Sequence, residues 1–332
     1  MSYQIGIELS PSLFKLVEVK KRRKAMELQQ MVVHPLPSVW AKEPFFLERE
    51  ELIQTIQEAL LGRRLHTERV HVGINCREVV FKRVMVPEMR KRQYRRYLKE
   101  QLIPLLELPF PDPVFDFQLI NHVWADGDLQ EVLLALMPRS YMDALVRCFR
   151  FCGLDPVQID IAPFSLYRWA NAYRGIGSPQ ALILQISKTG VEASYFSDGQ
   201  LIDTQTFSLP LAAHMSGEDR PHPDPLYPLL EMEEEINRYG EALLAKLHGL
   251  MDEKKKRMFA CPQAEWILAG EGLDIYLLEN WLSQNQLAKV TVAPLAELVM
   301  SSELKDKASR WVGTSLSVPL GLMVGEKEGM DR

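Results

Sequence analysis

Two turns in this 332-residue chain could take part in phosphate binding, and each lies between two apolar strands. The first belongs to Tyr3–Val19 (YQIGIELSPSLFKLVEV) and the second to Ala181–Phe196 (ALILQISKTGVEASYF). Each stretch reads as an apolar strand, a short turn of small and polar residues, and a second apolar strand. Backbone N–H groups of such turns can hold a polyphosphate when two turns face each other across a cleft.

The recurrence of this pattern predicts a duplicated domain. A third strand follows each hairpin, and the chain is long enough for two lobes with buried cores. The glycine-rich segment Gly175–Gln180 (GIGSPQ) is the expected boundary between them. We therefore predict a first lobe at residues 1–176 and a second lobe at residues 177–332, with the two turns facing each other.

The composition argues against several classes of protein. The net charge of −5 is unlike that of a general nucleic-acid binder, which normally carries a basic excess. No apolar run approaches the ~18–20 residues that span a bilayer, and the N-terminus lacks a signal-peptide pattern, so we expect a cytoplasmic protein. The cysteines form no CxxC pair, the histidines form no HxxxH pair, and no GxSxG motif is present. Metal and hydrolytic chemistry are therefore poorly supported.

A basic amphipathic helix is predicted over Met89–Leu102 (MRKRQYRRYLKEQL), where apolar and basic residues each recur every four positions on neighbouring faces. A solvated helix face is the simpler interpretation. The alternative is a contact with anionic lipid headgroups or an acidic partner, to which each basic residue would add roughly 1 kcal/mol. The residues of this candidate surface are Arg90, Lys91, Arg95 and Lys99.

Three stretches of the chain resemble the PilM family, the actin-like proteins of the type IV pilus inner-membrane platform. They are Ile5–Val19, Phe81–Leu119 and Leu134–Phe164, the last containing CGLDPVQIDIAPF. The middle stretch is the most specific, because its order of strand, VP, helix, IP and DFQ is particular to this family and its relatives. The resemblance covers nearly the whole chain.

This resemblance implies an α/β fold in which an actin-like, ribonuclease H-like domain is duplicated, with ATP and Mg²⁺ in the cleft. It also implies a family-specific subdomain at about residues 79–137, inserted in the first lobe. The implied partner is the cytoplasmic N-terminal tail of the bitopic membrane protein PilN. Pilus motor ATPases and the platform protein are further candidate partners. Contact with the inner membrane would be peripheral and indirect.

The first turn departs from what the resemblance requires of a nucleotide site. Glu8 falls where the family has an acidic residue, and Lys15 matches a lysine that is common there. Ser10, however, replaces an expected glycine, and Pro11 removes one N–H donor. A bound triphosphate would lie beside Ser12.

The second and third turns depart in the same direction. Gln185 stands where an aspartate is expected and Ser187 where a glycine is expected, so one carboxylate around the metal is lost. The third turn keeps Gly270 and Gly272, which would support the adenosine, but Glu271 lies between them. A carboxylate at this position would face anionic phosphate.

A fourth departure is the proline-rich link Leu209–Pro228, where the family has a longer subdomain that contributes residues around the base. The subdomain of the second lobe, at about residues 209–260, is therefore expected to be shortened. Together the departures favour a degenerate site, with no cofactor expected and ATP with Mg²⁺ as the alternative. The sequence thus favours a protein that is not an enzyme.

The function that the sequence favours is a cytoplasmic scaffold that binds the tail of a PilN-like protein beside the inserted subdomain. The first alternative is an ATPase, small-molecule kinase or nucleotide switch of the same fold, supported by Glu8, Lys15 and the AGEG turn. A filament-forming protein that uses the predicted helix Leu230–Met251 is another alternative, as is a secretion-platform relative. Whether the machine serves pili, competence or secretion is left open by the sequence.

Overall fold

The computed structural model describes residues 2–22, 25–36, 50–75, 77, 79–120, 129–217, 222–253, 264–309 and 311–324. The chain divides into two compact units. The main unit consists of Met1–Cys76 and Cys148–Arg332, and the insert unit is Arg77–Arg147. The predicted subdomain at about 79–137 lies within the insert unit. None of the described helices is both long and apolar enough to cross a bilayer.

The strands and helices alternate in the manner of an α/β protein. The strands are β1 (Ser2–Leu9), β2 (Leu13–Arg22), β3 (Ala25–Pro35), β4 (Arg69–Ile74), β5 (Val80–Pro87), β6 (Pro113–Ile120), β7 (Leu129–Pro138), β8 (Asp155–Ile161), β9 (Gln180–Ser187), β10 (Gly190–Ser197), β11 (Gln200–Ser208), β12 (Glu265–Gly270) and β13 (Val290–Val292). The helices are α1 (Glu50–Leu60), α2 (Lys91–Tyr97), α3 (Arg139–Phe151), α4 (Ala162–Tyr173), α5 (Glu233–Glu253), α6 (Ile275–Asn285), α7 (Ser302–Lys305) and α8 (Ser317–Leu322).

The main unit contains two sheets with the same strand order. The first is β3-β2-β1-β4-β8 and the second is β11-β10-β9-β12-β13. In each sheet the first three strands pair antiparallel and the later strands pair parallel. The two hairpins predicted from the sequence are confirmed as β1–β2 and β9–β10. The repeated order is that of the duplicated actin-like, ribonuclease H-like fold.

The central strands are buried on both faces, which explains their nearly continuous apolar sequence. Strand β2 is buried at every position from Leu13 to Val19, and β10 is buried from Gly190 to Phe196. Polar residues within these strands are therefore withdrawn from water and require partners inside the protein. Lys15 is one such residue, since it is only 1% exposed.

The C-terminal part of the chain packs on the first sheet. The buried residues from Ala296 to Met323 share a core with Leu13, Val17, Val19 and Leu28 of β2 and β3. The sequence favours a helix near Ser309–Met323, but this expectation is wrong in its extent, because α8 starts only at Ser317 and Gly313 adopts a left-handed φ of +39°. The predicted division at residues 176 and 177 stays a prediction.

Several other predicted elements have different boundaries. The helix predicted at Leu230–Met251 begins at Glu233, because Leu230 forms a β-bridge with Leu273. The link Leu209–Pro228, predicted to have little structure, contains a short 3₁₀ turn over Leu211–His214. The sequence also favours a helix at Phe46–Leu61; the structure describes it from Glu50 as α1, and residues 46–49 lie outside the described residues.

The insert unit is built on the antiparallel sheet β5-β7-β6. Helix α2 continues into a π-helical turn at Leu98–Leu102 and a 3₁₀ turn at Ile103–Leu105. These helical turns and the sheet share the apolar core, whose buried members are Val86, Tyr94, Leu98, Ile103, Val132, Leu134 and Leu136. The sequence favours a strand at Phe117–Trp124, but β6 starts earlier, at Pro113, and residues 121–128 lie outside the described residues.

Candidate functional site

A buried lysine connects the two sheets of the main unit. The ammonium of Lys15 on β2 lies 3.1 Å from Glu8 Oε2 on β1 and 2.7 Å from Glu271 Oε2, which follows β12. All three side chains are at most 3% exposed. Lys15 and Glu8 are cross-strand partners in one hairpin, whereas Glu271 comes from the other sheet. The lysine therefore joins the hairpin of the first sheet to the turn that follows β12 of the second sheet.

Gln185 adds a second bond between the sheets. Its side-chain amide at the end of β9 donates a hydrogen bond of 2.7 Å to Glu8 Oε1. Both oxygens of Glu8 thus accept hydrogen bonds from protein groups. A carboxylate at position 185 could not donate this bond and would repel Glu8. Gln185, which stands where a metal-binding aspartate is expected, therefore supplies a hydrogen-bond partner for Glu8, the acidic residue that remains.

The pKa values of the cluster reflect one cation shared by two carboxylates. Burial raises the pKa of the Glu8 carboxyl, and Glu271 raises it further, so that it exceeds the ordinary value although Lys15 acts against this. Burial alone would lower the pKa of the Lys15 ammonium, but Glu271 and Glu8 outweigh burial and raise it. Glu271 Oε1 is buried and has no hydrogen-bond partner among the described residues. The two buried carboxyl groups therefore depend on the same ammonium.

The first turn is closed by its own hydrogen bonds. The Ser10 hydroxyl donates to Leu13 O at 3.1 Å and accepts from Leu13 N–H at 3.0 Å, while Ser10 N–H donates to the same carbonyl. Pro11 has no N–H to offer. Ser12 O accepts from Leu36 N–H, and Ser12 Oγ is buried without a hydrogen-bond partner among the described residues. Little of this turn is left to hold a phosphate.

The second turn is also engaged by the protein. Ser187 Oγ donates to Gly190 O at 3.0 Å and so closes the turn between β9 and β10. Lys188 O accepts from Leu211 N–H of the following 3₁₀ turn. Ser187 thus stabilises the turn at the position where the family resemblance implies a glycine.

The glycines of the third turn allow close packing within the protein. Gly270 has a φ of +122°, and a Cβ there would lie 1.9 Å from Ile186 O. Gly272 has a φ of +93°, and a Cβ there would meet Leu211 Cδ1 at 2.6 Å. Glu271 N–H donates to Ile186 O at 3.1 Å. Gly270 therefore fits the turn against β9, and Gly272 fits it against the 3₁₀ turn at Leu211–His214.

In the positions that the structure shows, these residues do not fit a nucleotide with Mg²⁺. The expected lysine and the acidic residue are bonded to each other, and Glu271 places a carboxylate beside them. Among the described residues, no group of three or more His, Cys, Asp and Glu side chains is arranged to hold a metal ion. The cluster formed by Glu8, Lys15, Gln185 and Glu271 is called the cleft cluster below.

A groove lies in the insert unit, with a volume of about 670 Å³. Apolar and proline side chains make up most of its lining, and three basic side chains and one acidic side chain, Asp112, complete it. The apolar and proline members are Ile103, Pro104, Leu106, Leu108, Phe110, Pro111, Pro113, Val114 and Phe115, and the basic members are Arg95, Lys99 and Arg139. A groove of this composition suits an extended peptide that carries apolar side chains and negative charge.

The structure separates the four basic residues predicted as a contact surface. Arg95 and Lys99 line the groove, whereas Arg90 and Lys91 lie at the start of α2 and are not among the lining residues. Arg95 pairs with Asp116 at 2.6 Å. Lys99 is exposed and has no ion pair among the described residues.

Two partners in the cleft were not identified as site residues from the sequence. One is Glu271 as the partner of Lys15, and the other is Thr314, whose hydroxyl bonds both the N–H and the carbonyl of Gly270. The apolar neighbours of Lys15 in LFKLVEV are a signal that a buried ammonium needs a carboxylate. That signal does not select one residue among 44 acidic ones. Nothing in the sequence around Thr314 indicates its role.

Comparison with protein families decides the relationship of this chain. The family described as type IV pilus assembly protein PilM matches residues 6–192, which is more than half of the sequence. The chain belongs to the PilM family. The match includes the insert unit, most of the first hairpin, strand β9 and three members of the cleft cluster, so the resemblance seen in the sequence is confirmed.

Solved structures support the same fold. One described as a PilM–PilN type IV pilus biogenesis complex has a TM-score of 0.70 and 20% sequence identity, covering 96% of this chain and 97% of that one. The ethanolamine utilization protein EutJ from Carboxydothermus hydrogenoformans has a TM-score of 0.51 and 13% identity, covering 98% and 90%. At these identities the likeness concerns the fold alone, and it agrees with a PilM family member of actin-like architecture.

Proposed function

We propose that this chain is a cytoplasmic scaffold of type IV pilus assembly that binds the N-terminal cytoplasmic tail of a PilN-like membrane protein. Its place at the inner membrane would then be peripheral and follow from that partner. The observation that carries the proposal is the groove of the insert unit in a chain of the PilM family. A complex of a PilM with a PilN is known among the structures of similar fold.

The lining of the groove indicates the chemistry of the tail. Ile103, Leu106, Leu108 and Phe110 offer apolar surface to alternate side chains of an extended segment. The ammonium of Lys99 is free to pair with a carboxylate of the tail, whereas Arg95 and Arg139 each already have an aspartate partner. We therefore expect a tail in which apolar residues alternate with polar ones and at least one is acidic.

We further propose that binding of this tail does not depend on nucleotide. The side chains that would contact a nucleotide in the cleft are bonded to one another, and a carboxylate lies among them. The alternative is a functional nucleotide switch, in which ATP with Mg²⁺ would have to break these bonds. Isothermal titration with ATP and Mg²⁺ separates the two. Saturable binding with a micromolar dissociation constant that is lost in Glu8→Gln would favour the switch.

The direct test of the scaffold is fluorescence anisotropy with the full chain and a labelled peptide, the N-terminal tail of the PilN-like protein from the same organism. Lys99→Glu should weaken binding about fivefold or more, because it reverses a charge at the groove. Lys91→Glu is the matched control, since Lys91, at the start of α2, is also exposed but does not line the groove, whereas Lys99 lies in the π-helical turn that continues α2. Absence of saturable peptide binding to the wild-type chain would contradict the proposal.

A further inference from the structure

Two direct bonds in the cleft cluster join the first sheet to the second. Lys15 on β2 pairs with Glu271 at 2.7 Å, and Gln185 on β9 donates to Glu8 at 2.7 Å. Both bonds lie at the strand ends where the two hairpin turns are located. These are the ends that would separate if the two lobes moved apart.

Other bonds fix the segments that connect the lobes. The Gly177 N–H donates to Glu265 Oε2 at 3.0 Å, and Arg174 lies 3.4 Å from Glu265 Oε1. This carboxylate therefore holds the crossover between α4 and β9 against β12. Trp169 Nε1 donates to Pro294 O at 2.7 Å and is fully buried. Glu265 and Trp169 thus hold the segment that connects the lobes in place, and Lys15 holds the two sheets together at the cleft.

We propose that Lys15 is a built-in latch that keeps the two lobes closed. It replaces a ligand that would otherwise hold the lobes together by contacting both of them. The inference rests on the proposed independence from nucleotide and adds how the closed state is maintained. A ligand can close a cleft because it contacts both walls. Here one ammonium contacts a carboxylate from each wall, so closure belongs to the folded state itself.

The charges give the latch a property that a simple apolar contact would not have. Without Lys15, the carboxyl groups of Glu8 and Glu271 would remain close together in a buried place without a cation, where ionising both of them costs much free energy because like charges repel strongly when water is excluded. The repulsion would push the two strand ends apart. Neutralising Glu271 as well should remove the repulsion and let the cleft close again. A role limited to core packing predicts instead that two substitutions are worse than one.

Hydrogen–deuterium exchange of the full chain tests this latch. In Lys15→Met, the amides of Glu271 and Ser10, which are bonded to Ile186 O and Leu13 O, should exchange about tenfold faster or more. In Lys15→Met with Glu271→Gln, most of that increase should disappear. Lys307→Met, which removes an exposed ion pair with Glu303, is the control and should leave both amides unchanged.

The outcomes separate the latch from the proposed function. Unchanged exchange in Lys15→Met, or faster exchange in the double variant than in the single one, would overturn the latch. Protection of the wild-type cleft amides by ATP with Mg²⁺ would overturn nucleotide independence and leave the result on Lys15 standing. If Lys15→Met does not fold, Lys15→Gln serves in its place, since it also removes the cation shared by Glu8 and Glu271 and should likewise raise exchange at Ser10. Wild-type exchange at Ser10 in that variant would overturn the latch.

Discussion

The charged side chains of the cleft cluster are buried, whereas those of the groove of the insert unit are exposed. In the cleft, Glu8, Lys15 and Glu271 are at most 3% exposed and pair with one another. In the groove, Arg95 and Arg139 keep half or more of their side chains exposed although each pairs with an aspartate. The first arrangement satisfies charges within the protein, and the second leaves charges accessible to another molecule.

This difference indicates where the chain interacts with other molecules. A site that binds a charged ligand must leave groups without partners until the ligand arrives. The cleft leaves only Glu271 Oε1 and Ser12 Oγ in that condition among its described side chains, and a carboxylate oxygen does not attract phosphate. The groove combines an exposed ammonium, that of Lys99, with apolar surface. Substitutions in the cleft should therefore change stability, and substitutions in the groove should change binding.

The largest effect is expected from Lys15→Met. Removing one member of a buried ion pair leaves an uncompensated buried charge, which costs about 3–5 kcal/mol of unfolding free energy. Urea unfolding followed by circular dichroism measures the change. Lys307→Met is the control, and its unfolding midpoint should match that of the wild type because both partners of its ion pair are exposed. Equal midpoints for the two variants would contradict the difference expected between a buried and an exposed ion pair.

A smaller loss is expected from Glu265→Gln. The carboxylate is 3% exposed and accepts from Gly177 N–H and Lys289, but Lys289 is 65% exposed and is screened by water. Loss of charge-assisted hydrogen bonds of this kind costs about 1.5–3 kcal/mol. Urea unfolding at pH 7 should place this variant between the wild type and Lys15→Met. A loss as large as that of Lys15→Met would show that screening of Lys289 has no effect.

The pH dependence of the Glu265 contribution has a definite sign. Burial raises the pKa of this carboxyl, but the Lys289 ammonium and the Gly177 N–H outweigh burial, so the pKa lies below its ordinary value. A carboxyl whose pKa is lower in the folded state stabilises the fold above its unfolded value of 4.5, and this stabilisation is lost as the pH falls through the folded pKa. The difference between wild type and Glu265→Gln in urea should therefore narrow below pH 4.5.

The contribution of the cleft cluster has the opposite pH dependence. The pKa of Lys15 is raised above 10.5, because Glu271 and Glu8 outweigh the effect of burial. Its stabilisation is therefore complete below pH 10.5 and is lost as the pH rises through the folded pKa. Unfolding free energies of wild type and Lys15→Met should converge at alkaline pH. A constant difference between them up to the highest pH at which the wild type folds would contradict this assignment.

The sequence predicted the hairpins because they follow from a local pattern, whereas the degeneracy of the nucleotide site stays a prediction. Alternating strands, Pro11 and the residue types at 10, 185 and 187 are visible without coordinates. The partner of Lys15 could not be predicted, since Glu271 is 256 residues away along the chain and only the duplicated fold brings the two together. The extent of α8 was missed for a related reason. Packing on the first sheet, together with the left-handed Gly313, determines where that helix begins.

The smallest effect on stability, and the most specific one, is expected in the groove. Lys99→Glu changes an exposed side chain, so its unfolding free energy should stay within about 0.5 kcal/mol of the wild type. Its affinity for the PilN-like tail should nevertheless fall, and the loss should shrink as salt rises from about 0.05 to 0.5 M, because screening weakens exposed charge pairs. Anisotropy titrations at both salt concentrations, with Lys91→Glu alongside, measure this. Lys15→Met, if it remains folded at the assay temperature, should not weaken binding of the tail as much as Lys99→Glu does. An equal loss of affinity would mean that the groove does not act independently of the cleft and that binding depends on the closed lobes.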